Sequence, residues 1–257
     1  MIVNIREKKY GSRLALENIR VVFPRGKTSL IIGTSGAGKS TLIKCMIGTN
    51  SFDGDITDYR REEIAYIPQH PALNTRETAH DAIYWSALFS RLYQGKAELN
   101  RSVDWMVNTL GLQQVQRNEI RRLSGGQMQR VSIAKELVRG KRIIIADEID
   151  TGLDCGVSRD LIGKLCQITH QNNMTTIIIS HNIVNIEMYD QVVVLVKSDA
   201  GPGKIAYAGP PQFVRRFFEV KNYVDILVKL NRRDEGGMGL ADLYINRFDN
   251  AMRQQGM

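Results

Sequence analysis

The sequence lacks any hydrophobic run long enough to cross a bilayer as a helix, which takes roughly 20 apolar residues. Its longest apolar stretches, "RIIIAD" and "QVVVLVK", are short and predict buried parallel strands instead. The opening "MIVNIREKKYG" has no apolar segment between its basic residues and a cleavage site. We therefore expect neither a membrane-spanning segment nor a secretory signal.

Cysteine is also scarce. The three cysteines, Cys45, Cys155 and Cys166, show none of the spacings typical of metal sites or redox motifs. Their odd number, together with the missing secretory signal, indicates a reducing cytosol. We interpret them as reduced, structural thiols.

Basic residues outnumber acidic ones, 35 to 27, for a net charge of +8. Such an excess is compatible with a nucleic acid, with an anionic membrane surface, or with no specific partner. The basic residues are scattered in pairs rather than gathered into a tract, and no aromatic residues are interleaved with them to stack on bases. This pattern favours a solvated basic surface near lipid headgroups, and no nucleic-acid partner is expected.

The chain changes character twice along its length. Its start alternates polar and apolar residues, which predicts two antiparallel strands, and short apolar strands then alternate with helices, which predicts a parallel sheet covered on both faces. Helical spacing alone occupies the middle of the chain. We therefore predict an α/β core (1–71 and 139–220), an inserted helical subdomain (72–138) and C-terminal helices or a linker (221–257).

The segment "GTSGAGKST", residues 33–41, matches G-x-x-x-x-G-K-[ST] between an apolar strand and a helix. Glycines at these positions let backbone N–H groups surround a phosphate, the lysine reaches the β- and γ-oxygens, and the next hydroxyl binds Mg²⁺. A chance glycine-rich turn would not need the strand and the helix. The predicted ATP-binding residues are Gly33, Thr34, Ser35, Gly36, Ala37, Gly38, Lys39, Ser40 and Thr41.

A second motif, "IIIADE", is an apolar strand that ends in two carboxylates. Parallel strands deliver side chains to a site at their carboxyl ends. We predict that Asp147 binds Mg²⁺ together with Ser40, and that Glu148 acts as the general base on the attacking water. The alternative is an acidic pair that caps a helix.

A third motif, "LSGGQMQR", begins with a hydroxyl and two glycines and continues into an apolar helical pattern. A helix N-terminus with small residues at its mouth is suited to binding an anion. An ordinary N-capped helix also fits this turn but leaves the glycine pair without a role.

Taken in order, these motifs with "TGLD" at 151–154 and "SH" at 180–181 resemble the ATPase domain of ABC proteins. The resemblance covers nearly the whole chain and implies a P-loop NTPase fold with a RecA-like core, a parallel sheet, N-terminal antiparallel strands and an inserted α-helical subdomain. It also implies that ATP and Mg²⁺ are bound between two copies docked head to tail. The residues implied to bind the partner's ATP are Ser124, Gly125, Gly126, Gln127 and Asp154.

The same resemblance implies further roles. Gln69 in "YIPQH" matches a glutamine that senses Mg²⁺ and the attacking water, and His181 matches a histidine that contacts the γ-phosphate. Tyr10 is placed like an aromatic residue that stacks on adenine, although a strand-end tyrosine can also serve packing alone. Where the family usually has proline after the catalytic glutamate, this chain has Ile149, and a less rigid loop is expected there.

The later half, with "GKIAYAGPPQFVRRFFE", is similar to G-type half-transporters, whereas "ISHN" is closer to generic bacterial subunits. The resemblance implies a transporter motor in the cytoplasm, held at the inner face of the membrane by a transmembrane permease and paired with a second ATPase subunit. Two alternatives are a non-transport ABC ATPase of DNA maintenance or translation, and an ordinary P-loop kinase or GTPase. The first usually carries a long coiled-coil insertion or a second ATPase module, and the second gives no role to residues 123–127.

Overall fold

The computed structural model describes residues 1–254 and contains, within them, nine strands and eight α-helices. The strands are β1 (Ile2–Tyr10), β2 (Arg13–Val22), β3 (Lys27–Gly33), β4 (Asp53–Thr57), β5 (Ile64–Ile67), β6 (Ile143–Asp147), β7 (Thr175–Ile179), β8 (Gln191–Lys197) and β9 (Gly203–Gly209). The helices are α1 (Lys39–Met46), α2 (Ala79–Ser90), α3 (Lys96–Thr109), α4 (Gly125–Leu137), α5 (Cys155–Gln171), α6 (Pro211–Phe218), α7 (Val224–Leu230) and α8 (Ala241–Gln254).

All nine strands join one sheet in the order β4-β1-β2-β9-β8-β3-β7-β6-β5. Strands β8, β3, β7, β6 and β5 pair in parallel, and β1 pairs antiparallel with β2, as predicted. The sequence did not predict that β8 and β9 would form an antiparallel pair or that β9 would join the two groups of strands. The expected α/β fold with a parallel core and N-terminal antiparallel strands is confirmed.

Alternation along the central strands divides the core between the two faces of the sheet. Leu30 and Ile32 of β3 lie in one apolar cluster, with side chains from α2, α3, α4 and α5. Ile31 lies in the other cluster, with side chains from α1, β1 and β2. Since successive side chains of a strand point to opposite faces, a run such as "LII" serves both clusters. The sheet is therefore buried on both sides at β3, the strand that leads into the glycine-rich segment 33–41.

Between β5 and β6 the described chain contains helices α2, α3 and α4 and no strand. A single bridge between Thr78 and Glu119 closes the base of this segment. Within residues 1–254, none of the helices has both the length and the apolar composition that crossing a bilayer requires.

The C-terminal segment packs on the core. Tyr244 and Phe248 of α8 are buried, as their helical spacing predicted, and α8 packs on β9. Leu243 shares the helical spacing of Tyr244 and Phe248 and is expected on the same face, but it is 58% exposed, and Ile245 is buried instead. The segment expected to form C-terminal helices or a linker thus contains helices α7 and α8, and its residues 255–257 lie outside the described residues.

Candidate functional site

The predicted site residues follow strands that end at the same edge of the sheet. In the parallel pairing, Asp147 of β6 lies beside Ile179 of β7, and Ile67 of β5 lies beside Ala146. The P-loop leaves β3 on the far side of β7. The carboxyl ends of these strands thus bring together segments that are distant along the chain.

The P-loop (residues 33–41) fits its place only because two of its residues lack side chains. A Cβ on Gly33 would lie 1.8 Å from the carbonyl oxygen of Leu195 in β8. Gly38 has a φ of 92°, and a Cβ there would lie 2.6 Å from the Leu16 side chain. The strand and the loop can therefore pack against β8 and β2 with the backbone close to its neighbours.

Helix α1 begins directly after this loop, and no side chain of the described residues caps it. Its first intrahelical bond runs from the N–H of Leu42 to the carbonyl of Gly38, over 2.8 Å. The preceding N–H groups have no partner within the helix and, with the positive end of the helix dipole, form a set of donors suited to phosphate. Ser35, Gly36 and Ser40 are exposed, so the loop is open to a ligand.

Lys39 supplies the positive charge of the site and is only 9% exposed. Its Nζ donates to the carbonyl oxygens of Gly33 (3.0 Å) and Thr34 (3.1 Å). Burial lowers the pKa of Lys39, while the charges of Glu148 and Asp147 act in the opposite direction. The amino group is thus held inside the loop, where a phosphate would compensate for its burial.

Asp147 is the carboxylate at the end of β6. Its Oδ2 accepts a hydrogen bond from the hydroxyl of Tyr66 (3.3 Å), a residue that the sequence analysis missed although it faces the site from β5. Burial raises the pKa of Asp147, with a partial offset from this hydrogen bond, and raises the pKa of Tyr66 to about 12. A bound cation would favour the ionised form of Asp147.

The donor set fits magnesium. Within residues 1–254, no group of three or more histidine, cysteine, aspartate or glutamate side chains could form an all-protein metal site. Mg²⁺ instead takes one or two carboxylates, substrate phosphates and water in octahedral geometry. Asp147 and the exposed hydroxyl of Ser40, with Gln69 nearby, are oxygen ligands of that kind.

Glu148 is the centre of a cluster that brings together three of the residues named in the sequence analysis. Gln69 Nε2 donates to its Oε2 (2.9 Å), and His181 Nε2 lies 2.8 Å from its Oε1. The backbone of Glu148 has a φ of 48°, which is uncommon for a residue with a side chain. Its N–H donates to the carbonyl of Ile179 (2.8 Å), so β7 supports this turn.

The loop after Glu148 is anchored by side chains. Ile149 is 1% exposed in the larger apolar cluster, so packing restrains the backbone at the position where proline was expected. Asp150 is 5% exposed, and both of its oxygens accept from the hydroxyl of Ser180 (2.8 Å). Asp150 was not among the predicted site residues, although it is the third carboxylate of "DEID".

The turn at residues 123–127 caps its own helix. Ser124 Oγ accepts from the N–H of Gln127 (3.3 Å), and Gln127 Oε1 accepts from the N–H of Ser124 (2.9 Å). A Cβ on Gly126 would lie 3.1 Å from Leu153, whereas one on Gly125 would meet nothing within 4 Å. The alternative of an ordinary N-cap thus accounts for Ser124, and packing accounts for Gly126, while Gly125 stays exposed.

Asp154 likewise caps a helix: its Oδ1 accepts from the N–H of Val157 (2.9 Å) at the start of α5, and the residue is exposed. The immediate neighbours of the 123–127 turn are therefore residues of the 151–154 loop and of α5. The neighbours of the P-loop are residues of β2, β8 and β9. Within residues 1–254, no hydrogen bond joins one predicted phosphate-binding segment to the other.

Tyr10 lies at the end of β1 and is 46% exposed. Its hydroxyl accepts from Asn50 Nδ2 (2.5 Å), and the Lys8 ammonium lies 4.5 Å from the centre of its ring. The ring is held at the surface rather than packed in the core, which suits stacking on a planar ligand.

A family model described as "ABC transporter" matches residues 16–151, more than half of the chain. A sulfate/thiosulfate import ATP-binding protein of Nocardia farcinica is 28% identical over 83% of this chain, and a methionine import ATP-binding protein of Campylobacter jejuni is 26% identical over 74%. The chain spans 65% and 66% of those two proteins, less than two thirds of their length.

A manganese transport system ATP-binding protein of Halalkalibacterium halodurans is 29% identical over 88% of this chain and 92% of its own length. A solved structure described as an ATP-binding subunit of an ABC transporter superposes with a TM-score of 0.74 at 24% identity, over 90% of this chain and 99% of the other. This likeness confirms the predicted P-loop NTPase fold. None of the three relatives' names supports the G-type resemblance of the later half.

Proposed function

The chain belongs to the ABC transporter family, and on that premise we propose that it is the ATP-binding and ATP-hydrolysing motor of a transporter. The observation that carries the proposal is the environment of Glu148. This carboxylate lies between Gln69 and His181 at the sheet edge from which the P-loop also emerges.

Glu148 acts as the general base on the attacking water. A carboxylate has about four lone-pair sites, so the contacts with Gln69 and His181 orient it and still leave sites free to accept a proton. His181 is 53% exposed at its side chain and can contact a phosphate from the open side of the site. The three side chains thus form one unit rather than three separate contacts.

The P-loop binds the phosphates of ATP through the first N–H groups of α1 and through Lys39. Mg²⁺, held by Ser40 and Asp147 with Gln69, would supply charge neutralisation at those phosphates. Tyr10 presents its exposed ring to the adenine. The core (1–71 and 139–220) carries all of these residues, and the helical subdomain (72–138) carries the 123–127 turn.

Two copies complete each other's sites. Ser124, Gly125 and Asp154 are exposed, and no hydrogen bond or ion pair found among residues 1–254 joins the 123–127 turn to the P-loop of the same chain. In a head-to-tail dimer, the 123–127 turn of one copy, which includes Gly126 and Gln127, completes the ATP site of the other copy. This accounts for two phosphate-binding devices in one chain.

A dilution experiment tests this proposal. Specific ATPase activity is measured against protein concentration, with the mass of the species followed by light scattering. Activity per chain should fall on dilution as dimers dissociate. Full activity at concentrations where only monomers are present would show that one chain hydrolyses ATP by itself.

A groove where the helical subdomain meets the core is a suitable contact for the membrane partner. It has a volume of about 560 Å³ and is lined by Trp85 and Phe89 together with Lys135, Arg139 and Lys141. Phe89 is 77% exposed, and its ring stacks on that of Trp85. The polar, proline-containing segment "HPALNTRET", residues 70–78, is a plausible docking edge, and its Glu77 also lines this groove.

Co-expression with a candidate permease, a multi-span membrane protein whose coding sequence neighbours that of this chain, tests the contact. Phe89→Asp should reduce co-purification while the ATPase activity of the isolated chain is retained, because the groove carries none of the proposed catalytic side chains. Leu243→Asp, at an apolar residue of α8 that is 58% exposed, is the control. Equal co-purification of the permease with the Phe89 variant and with the control would exclude the groove as the docking site. On this proposal, the chain lies at the inner face of the membrane because the permease holds it there.

A further inference from the structure

Asp150 is a buried carboxylate that the catalytic scheme leaves unused. Its side chain accepts from the Ser180 hydroxyl at both oxygens (2.8 Å) and from the Ser158 hydroxyl (3.4 Å). No lysine, arginine or histidine of residues 1–254 pairs with it, and burial raises its pKa, with a partial offset from Ser180. A buried carboxylate without a counter-ion is unfavourable for stability by itself.

The contacts of Asp150 close a ring around the catalytic pair. Asp150 is two residues beyond Glu148, and Ser180 directly precedes His181. His181 returns to Glu148 over 2.8 Å, so chain segments and hydrogen bonds form a closed loop. The hydroxyl of Ser180 also accepts from the N–H of Asn182 (2.8 Å), which fixes the backbone on the other side of His181.

A second set of contacts leads to the 151–154 loop. The N–H of Leu153 donates to the carbonyl of Asp150 (3.3 Å), and Ser158 donates its N–H to the carbonyl of Asp154 (2.9 Å). The Ser158 hydroxyl donates to the Asp150 carboxylate, so Asp150 joins the residue that precedes the 151–154 loop to the first turn of α5, which follows it. The same carboxylate therefore touches both the strand end that carries His181 and the helix start that carries Asp154.

We propose that Asp150 is a positioning residue that holds His181 against Glu148 and joins both to the 151–154 loop. This inference rests on the proposed ATPase function. Asp150 does not touch the reacting atoms. It acts by keeping the imidazole of His181 in contact with the carboxylate of Glu148. Small displacements of catalytic groups lower rates strongly, so the effect falls on turnover rather than on binding.

The first test needs no ATP. In nucleotide-free protein labelled with ¹⁵N, the imidazole signals of the four histidines are assigned with the help of His181→Gln. Asp150→Ala should move the ring signals of His181 towards those of a free imidazole. The signals of His170, which is paired with Asp190 at 2.8 Å, serve as the internal control and should not move.

The second test separates turnover from binding. Asp150→Ala should lower kcat about tenfold or more with KM for ATP changed less than about threefold. Asp150→Asn keeps an acceptor for Ser180 and a donor for Ser158, and it should retain kcat within about threefold of the wild type. Asp190→Ala, which removes another hydrogen-bonded carboxylate, should lower the melting temperature and leave kcat intact.

The outcomes are distinct. Unchanged His181 signals in Asp150→Ala, or an Asp150→Asn variant as impaired as Asp150→Ala, would overturn the positioning role. If Asp150→Ala does not fold, Ser180→Ala removes the same hydrogen bonds from the other side and is scored in the same way. A wild-type protein without ATPase activity would overturn the proposed function, whereas the imidazole signals would still decide whether Asp150 holds His181.

Discussion

Gln69 reaches Glu148 across the edge of the sheet, with its Nε2 donating to Oε2 over 2.9 Å. The two residues follow β5 and β6, which pair in parallel, so neighbouring strand ends deliver them to one place. Gln69 also begins the segment that leads into the helical subdomain. On the proposed function, a displacement of that subdomain by a docked partner would move Gln69 relative to the carboxylate of Glu148. This hydrogen bond would then link docking to hydrolysis.

Glu148→Gln should abolish turnover but not binding. The amide keeps the shape of the side chain and cannot take up a proton, and loss of a general base lowers rates by about 10²–10⁴-fold. Phosphate release measures turnover, and light scattering should show an ATP-bound dimer that accumulates. Glu62→Gln, at an exposed glutamate, is the control. Hydrolysis at the wild-type rate in Glu148→Gln would refute the assignment of the base.

Ser124→Arg should eliminate hydrolysis and spare nucleotide affinity at dilutions where the chain is monomeric. A large side chain at this exposed turn would block the partner's site, whereas the P-loop of the same chain is untouched. Isothermal titration at low concentration measures affinity. Thr78→Ala is the matched control, because Thr78 caps α2 as Ser124 caps α4 and either loss destabilises by about 1 kcal/mol. Loss of affinity as well as activity would mean that the turn acts within its own chain.

ATP with Mg²⁺ should stabilise the folded chain. At 100 times the dissociation constant, the free energy of unfolding should rise by about 2.7 kcal/mol. Lys39→Ala should remove most of this gain because the buried amino group is lost from the P-loop. Lys44→Ala, at an exposed lysine of the same helix, α1, should keep the stabilisation by ATP. Thermal denaturation with and without nucleotide provides the measurement, and an equal gain in the two variants would contradict the role of Lys39.

Asp190 should make stability depend on pH. Burial by itself would raise the pKa of Asp190, but hydrogen bonds from the N–H of Thr28, from His170 and from Lys27 outweigh it, and the pKa is lowered. Its stabilisation is therefore complete above the unfolded pKa of about 3.9 and is lost as the pH falls through the lower folded value.

Urea denaturation of the wild type and of Asp190→Asn at several pH values tests this. The difference in unfolding free energy between them should be largest near neutral pH and should narrow as the pH falls below about 4. Asp104→Asn, at an exposed aspartate of α3, should show little difference at any pH. A constant difference for Asp190→Asn across the range would contradict the lowered pKa.

Part of the fold followed from local patterns. The alternation in "IVNIREKKY" predicted a strand, and "IIIAD" predicted a buried one, because side-chain period and apolar content depend only on neighbouring residues. The β8–β9 pairing was missed because partners and directions of strands are set by contacts between distant segments. Leu243 was assigned to the wrong face of α8, since helical spacing gives a stripe but not which edge of it meets the core.

The sequence by itself determined the P-loop, the acidic pair after β6 and the turn at residues 123–127, because glycine, lysine and carboxylates at fixed short spacings encode their chemistry locally. The tertiary structure alone decided that Gln69 and His181 flank one carboxylate and that Asp150 lies under Ser180. Those relations depend on how strands far apart in the chain line up in the sheet, because a hydrogen bond between side chains at two strand ends forms only when its donor and acceptor atoms lie within about 3 Å of each other.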